Sequence, residues 1–379
     1  MIMPLKKIVS VMAISSLLLV PTVTNAEDAA STPSQNEPSL EQVNVQMKGV
    51  QPTNADLSEF VEQAREAASE YQAPQRSLTP NEEPAPETFD YTYVDGSTTY
   101  FYEKSSTEDK ESVTAYATPQ KTDVDGAANP SDAQLEMLDE PSNIQSAAAK
   151  DAIPGGIGGR ATVQKNGNIS TFVIHTPSST TGPSSRTYIY GGFSGKGVGL
   201  NDKNASRNVV ADMGLVYTDA YGTKKWQPMI NYYWGNDTDG HTTPGTIIAP
   251  YNEVYYKNGY LPDQDVKVSI YKNLNNNTRL STQGYAVHSN HDGTGGNAFL
   301  TSVTEIAATK VSSTTSWKYL ATIADTVINK VPQGDAAGSV QAVIKGITID
   351  NVNATPASDA TDSASVSVNS NNVTIKVSK

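Results

Sequence analysis

Short stretches in which apolar and polar residues alternate run through residues 161–349, and they constrain the fold more than any other feature. A period of two places every second side chain on the same face, which is typical of a β-strand. No long helical pattern interrupts them, which argues against a parallel α/β sheet. The chain is therefore predicted to be mainly β, with an antiparallel β-sandwich of jelly-roll or lectin-like type. The predicted strands are Ile169 to His175, Thr187 to Phe193, Val209 to Tyr217, Trp226 to Trp234, Val266 to Tyr271, Gly284 to His288, Trp317 to Ile323 and Val340 to Ile349.

The charge of the chain changes near residue 160. Up to that residue, Asp and Glu outnumber Lys and Arg by 25 to 10, whereas the remainder has 15 acidic and 17 basic residues. This break predicts an acidic leader before one sandwich domain at residues 161–350. A Ser- and Asn-rich segment at residues 351–379 follows, with a hairpin predicted over its last part. An acidic chain without a basic stripe also argues against nucleic acid as a partner.

The first 26 residues have the layout of a secretory signal peptide. Lys6 and Lys7 precede an apolar run from Ile8 to Val20, and the small residues before Glu27 suit a cleavage site after Ala26. The apolar run is shorter than the ~20 residues that a membrane-spanning helix needs. The protein is therefore predicted to be secreted and soluble, either extracellular or associated with the cell wall, with no membrane span.

The sequence contains no Cys. An exported domain without Cys forms neither a disulfide nor a thiolate metal site, so burial of apolar surface must hold it together. A domain of about 200 residues buries enough surface to do so.

A helix is predicted from Thr53 to the residue before Pro74. Thr53 and Asp56 have the spacing of a capping box, and an apolar stripe repeats at helical spacing after them. The opposite side is acidic. One interpretation is a solvated acidic face with the stripe docked on the body, and the other is a pro-segment or a docking helix for another surface component. Residues 27–52, before the helix, carry few large apolar side chains and are expected to be disordered.

A hairpin is predicted over residues 89–104, because Asp95-Gly96 separates two alternating runs. Two strands alone are marginally stable in water, so the hairpin is expected to pack on the helix or on the main domain. Helix and hairpin together define an accessory region at residues 53–145. A Gly-rich linker at residues 146–160 is predicted to join this region to the sandwich.

The main domain has only two Glu residues, Glu253 and Glu305. Glycoside hydrolysis commonly uses two carboxylates ~5 to 9.5 Å apart in one cleft. Neither Glu has an acidic neighbour two or four residues away in the sequence. The pattern argues against this hydrolase chemistry, so the sequence leans away from an enzyme.

Two polar segments are candidate ion or acid–base sites. Residues 288–297 hold two His and one Asp within five positions, and residues 235–241 form an oxygen-rich turn. Imidazole groups bind transition metals or transfer protons, and Asp- and Asn-rich loops supply the oxygen ligands that Ca²⁺ prefers. The simpler interpretation of both segments is an exposed hairpin loop. No cofactor is expected, and if Ca²⁺ binds, its ligands are Asp237, Asp239 and Asp292.

The glycine-rich run at residues 191–199 does not have the pattern of a nucleotide-binding loop. It lacks Gly-Lys-Ser/Thr and no helix is predicted after it, so nothing would cradle a phosphate. A tight turn at the end of a strand, or a β-bulge, is the predicted structure. The chain also lacks a Gly-x-Ser-x-Gly motif, which leaves an α/β-hydrolase serine site without support.

Aromatic residues are the most numerous candidates for ligand contact in the main domain. Flat rings pack on the apolar faces of sugars, while Asn, Asp and Gln side chains bond their hydroxyl groups. In Tyr232-Tyr233-Trp234, alternation sends Tyr233 to the opposite face from its neighbours, so at least one ring lies outside the core. The predicted ligand-binding residues are Trp226, Tyr233, Trp234, Tyr256, Tyr285, His288 and His291.

Two short motifs resemble a known family. The strand Ala-Asp-Met-Gly-Leu at residues 211–215, followed by Trp226-x-Pro228, is similar to the Ala-Asp-x-Gly-Leu strand and Trp-x-Pro turn of YrpD-type secreted proteins of bacilli. The resemblance covers residues 161–350. It implies a secreted β domain of that type, and it supplies no catalytic residues.

Three functions are compatible with these patterns. The first is a secreted, non-catalytic module that binds a polysaccharide or another cell-envelope polymer through exposed aromatic side chains. The second is a polysaccharide-active enzyme, lyase-like and of jelly-roll fold, which needs Tyr285, His288 or His291 to line one cleft with a Lys or Arg. The third is a structural matrix or surface protein without a small-molecule ligand.

Overall fold

A computed structural model describes the chain in separate stretches, and the fold and contacts are defined for these residues. They are 40–71, 86–106, 111–118, 120–122, 156–181, 185–199, 202–218, 224–235, 245–249, 258–287, 297–325 and 336–379.

The described residues form 22 β-strands, one α-helix and one short 3₁₀ helix, so the prediction of a mainly β chain is confirmed. In chain order they are the 3₁₀ helix Leu40–Gln42, β1 Val43–Lys48, α1 Asn54–Glu70, β2 Glu87–Asp95, β3 Thr98–Ser105, β4 Glu111–Ala117, β5 Gln120–Thr122, β6 Gly156–Val163, β7 Ile169–His175, β8 Thr180–Thr181, β9 Ser185–Gly199, β10 Asp202–Thr218, β11 Lys225–Trp234, β12 Gly245–Ala249, β13 Gly259–Tyr260, β14 Asp265–Leu274, β15 Asn277–Val287, β16 Asn297–Ile306, β17 Ser313–Asp325, β18 Gly338–Ile349, β19 Val352–Asn353, β20 Ala357–Asp362, β21 Ala364–Asn369 and β22 Asn372–Ser378.

These strands are joined by hydrogen bonds into one mixed sheet. Most neighbours are antiparallel, while β1 pairs with β4 and β2 pairs with β16 in parallel. One run of neighbours is β12–β11–β10–β9–β17–β6–β20. A second run is β18–β7–β14–β15–β16–β2–β3–β4–β1. The short strand β13 connects the two runs, because it pairs with both β11 and β15.

The leader and the main domain contribute to the same sheet. Strand β2 lies parallel to β16, with Thr88 opposite Leu300 and Val94 opposite Ile306, and β5 pairs with β12. The predicted hairpin is present as β2 and β3. Its turn contains Gly96 at φ 57°, a left-handed conformation that glycine adopts without strain. Hydrogen bonds therefore link residues on both sides of residue 160 within one compact unit.

Helix α1 begins at the predicted capping box and packs on the hairpin. The Thr53 side chain accepts a hydrogen bond from the Asp56 backbone, and the Asp56 carboxylate accepts one from the Thr53 backbone. The apolar stripe, which includes Leu57 and Phe60, is buried in a cluster with Tyr91 and residues of β3, β4 and β16. The described residues contain no helix long and apolar enough to cross a bilayer.

Two segments that the sequence predicts to be irregular form strands. β1 falls within the predicted disordered segment, yet it pairs with β4, and Val43 and Val45 pack against the cluster under α1. Residues 156–160 fall within the predicted linker, but they form the first part of β6, between β17 and β20. Glycine permits this close approach, because a Cβ on Gly158 would lie 2.3 Å from the carbonyl oxygen of Ala321.

The glycine-rich run is the second half of β9 rather than a tight turn. Its glycines let large core rings pack directly on the strand. A Cβ on Gly191 would lie 2.7 Å from the Phe172 ring, and one on Gly199 would lie 2.6 Å from the Trp234 ring. The irregular pairing at this place lies in the neighbouring strands, where the register shifts between Thr314 and Ser316 of β17 and between Asp202 and Ser206 of β10.

The main hydrophobic core draws residues from both runs of strands, and it decides which side chains remain for a site. Trp226, Tyr232 and Trp234 of β11 point into this core, as do Phe193 of β9 and Trp317 of β17. The rings of Phe193 and Trp317 meet edge to face, 5.6 Å apart. Because side chains alternate along a strand, the residues between these positions lie on the opposite side of the sheet.

Candidate ligand-binding face

Two of the predicted ligand-binding residues, Trp226 and Trp234, are core residues, with exposed fractions of 0% and 2%. Trp226 Nε1 donates a hydrogen bond of 3.0 Å to the carbonyl oxygen of Pro177, which satisfies the polar atom of its ring. Both residues occupy positions of β11 whose side chains point into the core. Neither ring is therefore available to stack on a ligand at the surface.

The predicted residues Tyr233 and Tyr285 are both half-buried, but they lie on strands of different runs. Tyr233 is on β11 and points away from the main core, as alternation predicts. Tyr285 is on β15, and its ring meets that of Phe299 edge to face at 5.9 Å. The two tyrosines therefore do not belong to one group of neighbouring strands.

The remaining predicted site residues lie outside the part of the chain that the structure describes. They are Tyr256, His288 and His291 for ligand binding, and Asp237, Asp239 and Asp292 for Ca²⁺. Among the described residues, no group of three or more His, Cys, Asp or Glu side chains is placed to hold a metal ion.

The side chains that point away from the main core on β6, β9, β10, β11 and β17 share one side of the sheet, named here the polar face. Strand register brings them together. Asp212 lies opposite Asn231 of β11 and opposite Gly192 of β9, and Lys318 of β17 lies opposite the same Gly192. The polar and aromatic residues of this face used below are Arg160, Tyr188, Tyr190, Asp212, Gln227, Asn231, Tyr233 and Lys318.

An ion pair occupies the centre of the polar face. Lys318 Nζ lies 2.5 Å from Asp212 Oδ1, and the exposed fractions of the two side chains are 8% and 17%. Burial lowers the pKa of Lys318, while the nearby Asp212 carboxylate acts in the opposite direction. A buried cation of this kind requires its partner, because an unpaired charge would be costly to desolvate.

Three tyrosines surround this ion pair. Tyr190 packs with Met229 and Leu320, and the half-buried Tyr188 joins the same cluster. Burial raises the pKa of Tyr190 well above its ordinary value, and the Asp212 carboxylate adds to that effect. Burial likewise raises the pKa of Tyr233, where a hydrogen bond with Asn231 acts in the opposite direction. These phenols therefore keep their protons at neutral pH and offer rings and hydroxyl groups, not charge.

A second ion pair balances Arg160, another cation of the polar face. Arg160 Nε lies 2.7 Å from Asp359 Oδ2, and the two side chains have exposed fractions of 14% and 13%. Lys318 is neutralised by Asp212 in the same manner. These four groups together carry no net charge, so the polar face presents hydrogen-bonding groups and aromatic rings without a net field from them.

A chain of hydrogen bonds connects one end of the polar face to the leader hairpin. Gln227 Nε2 donates to the carbonyl oxygen of Asn258 at 3.2 Å. Asn258 Nδ2 in turn donates to Asp90 Oδ2 at 3.0 Å and to Glu103 Oε2 at 2.8 Å. Asp90 and Glu103 lie opposite each other across β2 and β3. These bonds fix Asn258, the residue before β13, between Gln227 and the hairpin.

Glu305, one of the two Glu residues of the main domain, has a structural role. Its carboxylate pairs with Arg279 Nε and accepts hydrogen bonds from Tyr91 Oη at 2.9 Å and Asn277 Nδ2 at 3.2 Å. Arg279 also reaches Glu70 of α1, at 2.7 Å. This network ties the helix and the hairpin to β15 and β16. Glu253 lies outside the described residues.

Sequence reasoning missed the central residues of the polar face, although part of the signal was present. Tyr188 and Tyr190 alternate with Ile189, a core residue, so their common face could be read from β9 alone. Nothing local connects Asp212 to Lys318, because they lie on strands that are far apart in the chain. Their meeting depends on strand order, which the pattern of a single strand does not contain.

Comparison with known proteins identifies related sequences, and none of their descriptions states an activity. A family model described as "Domain of unknown function, YrpD" matches residues 150–377. "Uncharacterized protein YrpD" of Bacillus subtilis (strain 168) is 33% identical over 236 residues, which is 62% of this chain and 87% of that protein.

Likenesses to solved structures are weak. A crystal structure of scytalido-glutamic peptidase with a transition state analog inhibitor has 10% sequence identity and a TM-score of 0.34, covering 59% of this chain and 98% of that one. SCP-B, a member of the Eqolisin family of peptidases in complex with a tripeptide, has 11% identity and a TM-score of 0.31 over the same shares. At these scores the likeness carries no argument about fold or activity.

Proposed function

We propose that this chain, which belongs to the YrpD family, is a secreted, non-catalytic protein that binds an uncharged glycan or a similar cell-envelope polymer on the polar face. One observation carries the proposal. Half-buried tyrosines, Asn231 and two neutralised ion pairs are gathered on one side of the sheet, away from the core.

The chemistry of this face suits a polyhydroxylated, uncharged ligand. The rings of Tyr188 and Tyr233 offer flat apolar area, and their hydroxyl groups donate and accept hydrogen bonds. Asn231, which lies opposite Asp212, adds an amide beside Tyr233. Binding sites combine apolar area with a few fixed polar groups in this manner. Lys318 and Arg160 each have a carboxylate partner, so neither of these two cations is free to select a uronate.

The proposal includes a sandwich arrangement of the sheet, with the polar face on the outer side of one layer. In support, the main core takes Phe193 and Trp317 from one run of strands and Phe172, Val268 and Leu280 from the other. One shared apolar interior between two runs is the packing of a sandwich.

Export is also part of the proposal, because a soluble envelope protein must meet its polymer outside the cell. The supporting feature is the predicted signal peptide, in which Lys6 and Lys7 precede an apolar run. The measurement is the N-terminal peptide of the protein recovered from culture medium, which is expected to begin at Glu27. Retention in the cells with residues 1–26 intact would overturn this part of the proposal.

Binding is tested by glycan array and polysaccharide pull-down, with Tyr233→Ala, Tyr233→Phe and wild type compared. We expect wild type to be retained by uncharged polysaccharide and Tyr233→Ala to bind about tenfold more weakly, since removal of one well-packed aromatic contact commonly costs more than 1 kcal/mol. Tyr233→Phe keeps the ring and should lose less. Tyr285→Ala is the matched control, because it removes an equally half-buried tyrosine from β15.

Two results would count against the proposal. The first is no retention of wild type on any polysaccharide, which would favour a structural role without a ligand. The second is equal binding by Tyr233→Ala and wild type. Retention is also expected to change little with salt, because a neutral ligand makes no screened charge–charge contacts. A steep salt dependence with a uronate polymer would instead support the lyase-like alternative.

A further inference from the structure

Lys318 and Asp212 meet across a strand that lies between their own strands. Both residues are directly opposite Gly192 of β9, one from β17 and the other from β10. Neighbouring strands are about 4.8 Å apart, so twice that distance separates the two backbones. A Cβ on Gly192 would lie 3.1 Å from Lys318 Cε and 2.0 Å from the carbonyl oxygen of Ala211. The absence of a side chain at Gly192 therefore gives Lys318 room to reach Asp212.

The amine nitrogen is in contact with the carboxyl group that it faces. Lys318 Nζ lies 2.5 Å from Asp212 Oδ1. That buried oxygen nevertheless has no partner with hydrogen-bond geometry, so the nitrogen approaches the carboxyl group away from the directions that a hydrogen bond prefers. Both side chains are largely shielded from water, which removes the solvent that would otherwise separate the two groups.

The surroundings favour the uncharged form of Lys318. Burial lowers the pKa of Lys318; the Asp212 carboxylate opposes this, and the cation of Arg160 adds to it. Burial also raises the pKa of Tyr190 and of Tyr233, so neither phenol brings a further negative charge to the pair. Transfer of one proton from the ammonium to the carboxylate leaves a neutral amine facing a carboxylic acid. These are the two reactants of amide formation.

We propose that Lys318 and Asp212 become joined by an intramolecular isopeptide bond once the chain has folded. Nζ attacks Cγ of Asp212, an N–C bond forms, and one C–O bond of the carboxyl group breaks. The departing oxygen carries the carboxyl proton and one amine proton and leaves as water. Atoms and electrons balance without an oxidant, a reductant or a second substrate. The product is a neutral amide that links β10 to β17 across β9.

Such a bond would have a clear structural effect in this chain. The sequence has no Cys, so no disulfide restrains it. An amide between Lys318 and Asp212 closes a long loop and restricts the unfolded chain, as a disulfide between distant residues does. It also replaces a buried ion pair by a neutral group, which removes the cost of keeping two charges away from water. The inference does not depend on what the polar face binds.

Intact-mass spectrometry of the folded full chain tests the bond, with the N-terminus established from a digest of the same sample. We expect wild type to be lighter than its sequence by one water molecule. The digest should contain a branched peptide in which tandem spectra connect Lys318 to Asp212. A wild-type mass equal to that of the sequence would overturn the proposal.

Two variants locate the bond. Lys318→Arg keeps the cation and the ion pair but supplies no competent amine, so its mass should equal that of its own sequence. In Asp212→Asn, amide formation would release ammonia instead of water, and the cross-linked product would have the same mass as the cross-linked wild type. If Lys318→Arg also lacked one water, the bond would lie elsewhere and the assignment would be wrong.

Discussion

The substitution Arg279→Met tests how much the buried ion pair between Arg279 and Glu305 stabilises the folded protein. Arg279 has an exposed side-chain fraction of 9% and pairs with Glu305, whose fraction is 5%, and with Glu70 of α1. Methionine fills similar volume without charge. The substitution therefore leaves Glu305 buried with hydrogen bonds from Tyr91 and Asn277 and without its cation.

The expected loss of folding stability is large because removal of one partner of a buried ion pair leaves the other charge buried and unpaired. Removal of one partner of a buried ion pair typically costs about 3–5 kcal/mol. The contact with Glu70 contributes little to this figure, since half of the Glu70 side chain is exposed and solvent screens it. We therefore expect Arg279→Met to destabilise the protein by about 3–5 kcal/mol, nearly all of it through Glu305.

Urea unfolding of wild type and variant measures this difference, provided that the slopes against urea agree. Lys345→Met is the matched control: it removes a cation from an ion pair with Asp265 that is 43% and 55% exposed, and should cost no more than about 1 kcal/mol. Addition of Glu305→Gln to Arg279→Met should restore more than half of the loss, because the buried charge is gone. Equal, small effects of Arg279→Met and Lys345→Met would refute the reasoning.

Three further predictions follow from local contacts. Gly192→Ala should cost about 1–3 kcal/mol in urea unfolding, because its Cβ would lie 2.0 Å from the Ala211 carbonyl oxygen; an unchanged midpoint would contradict the close approach. Thr53→Ala should cost about 1 kcal/mol through loss of the helix cap, measured by the same method. Burial acts to raise the pKa of Glu111, but hydrogen bonds to its carboxylate, first among them that from Arg65, outweigh burial and lower the pKa. A carboxyl group whose pKa is lower in the folded protein than in the unfolded chain stabilises the fold at pH values above the unfolded pKa. This stabilisation is lost as the pH falls through the folded pKa. Arg65→Met should therefore raise the pKa of Glu111 in NMR titration and destabilise the protein more at neutral than at acid pH.

The elements that depend on neighbouring residues could be predicted from the sequence. Alternation in residues 209–217 places Val209 and Ala211 in the core and Asp212 on the other side, and the structure confirms both. The capping box at Thr53 and the Asp95-Gly96 turn are equally local, and both are present. Each of these signals involves residues at most a few positions apart, so no knowledge of strand order is needed.

Segments whose structure depends on distant partners could not be predicted in the same manner. Residues 191–199 and 156–160 are rich in glycine, a composition typical of turns and linkers, yet both are strand because neighbouring strands and core rings occupy the space that side chains would fill. Residues 43–48 have a weak pattern, and parallel pairing with β4 makes them a strand. The amino-acid composition of a segment does not show which distant strands or rings pack against it, and in these segments that packing decides the structure.

The candidate site shows the same division. The sequence singled out aromatic residues of β11, and alternation correctly separated Tyr233 from Tyr232 and Trp234. It did not show that Trp226 fills the core, since an aromatic residue in a strand looks the same whichever face is covered. It also did not show the buried carboxylate Asp90, because the leader hairpin joins the main sheet only through parallel pairing with β16.

The sequence by itself determined that this protein is mainly β, because a period of two is a local property that survives in any arrangement of the strands. It also determined which side chains of each strand can share a face. Only the tertiary structure decided that β10, β9 and β17 are neighbours in that order, so that Asp212 and Lys318 meet over Gly192. Backbone hydrogen bonds between strands bring these two distant residues together. The side-chain pattern of a single strand does not show which strands its backbone will pair with.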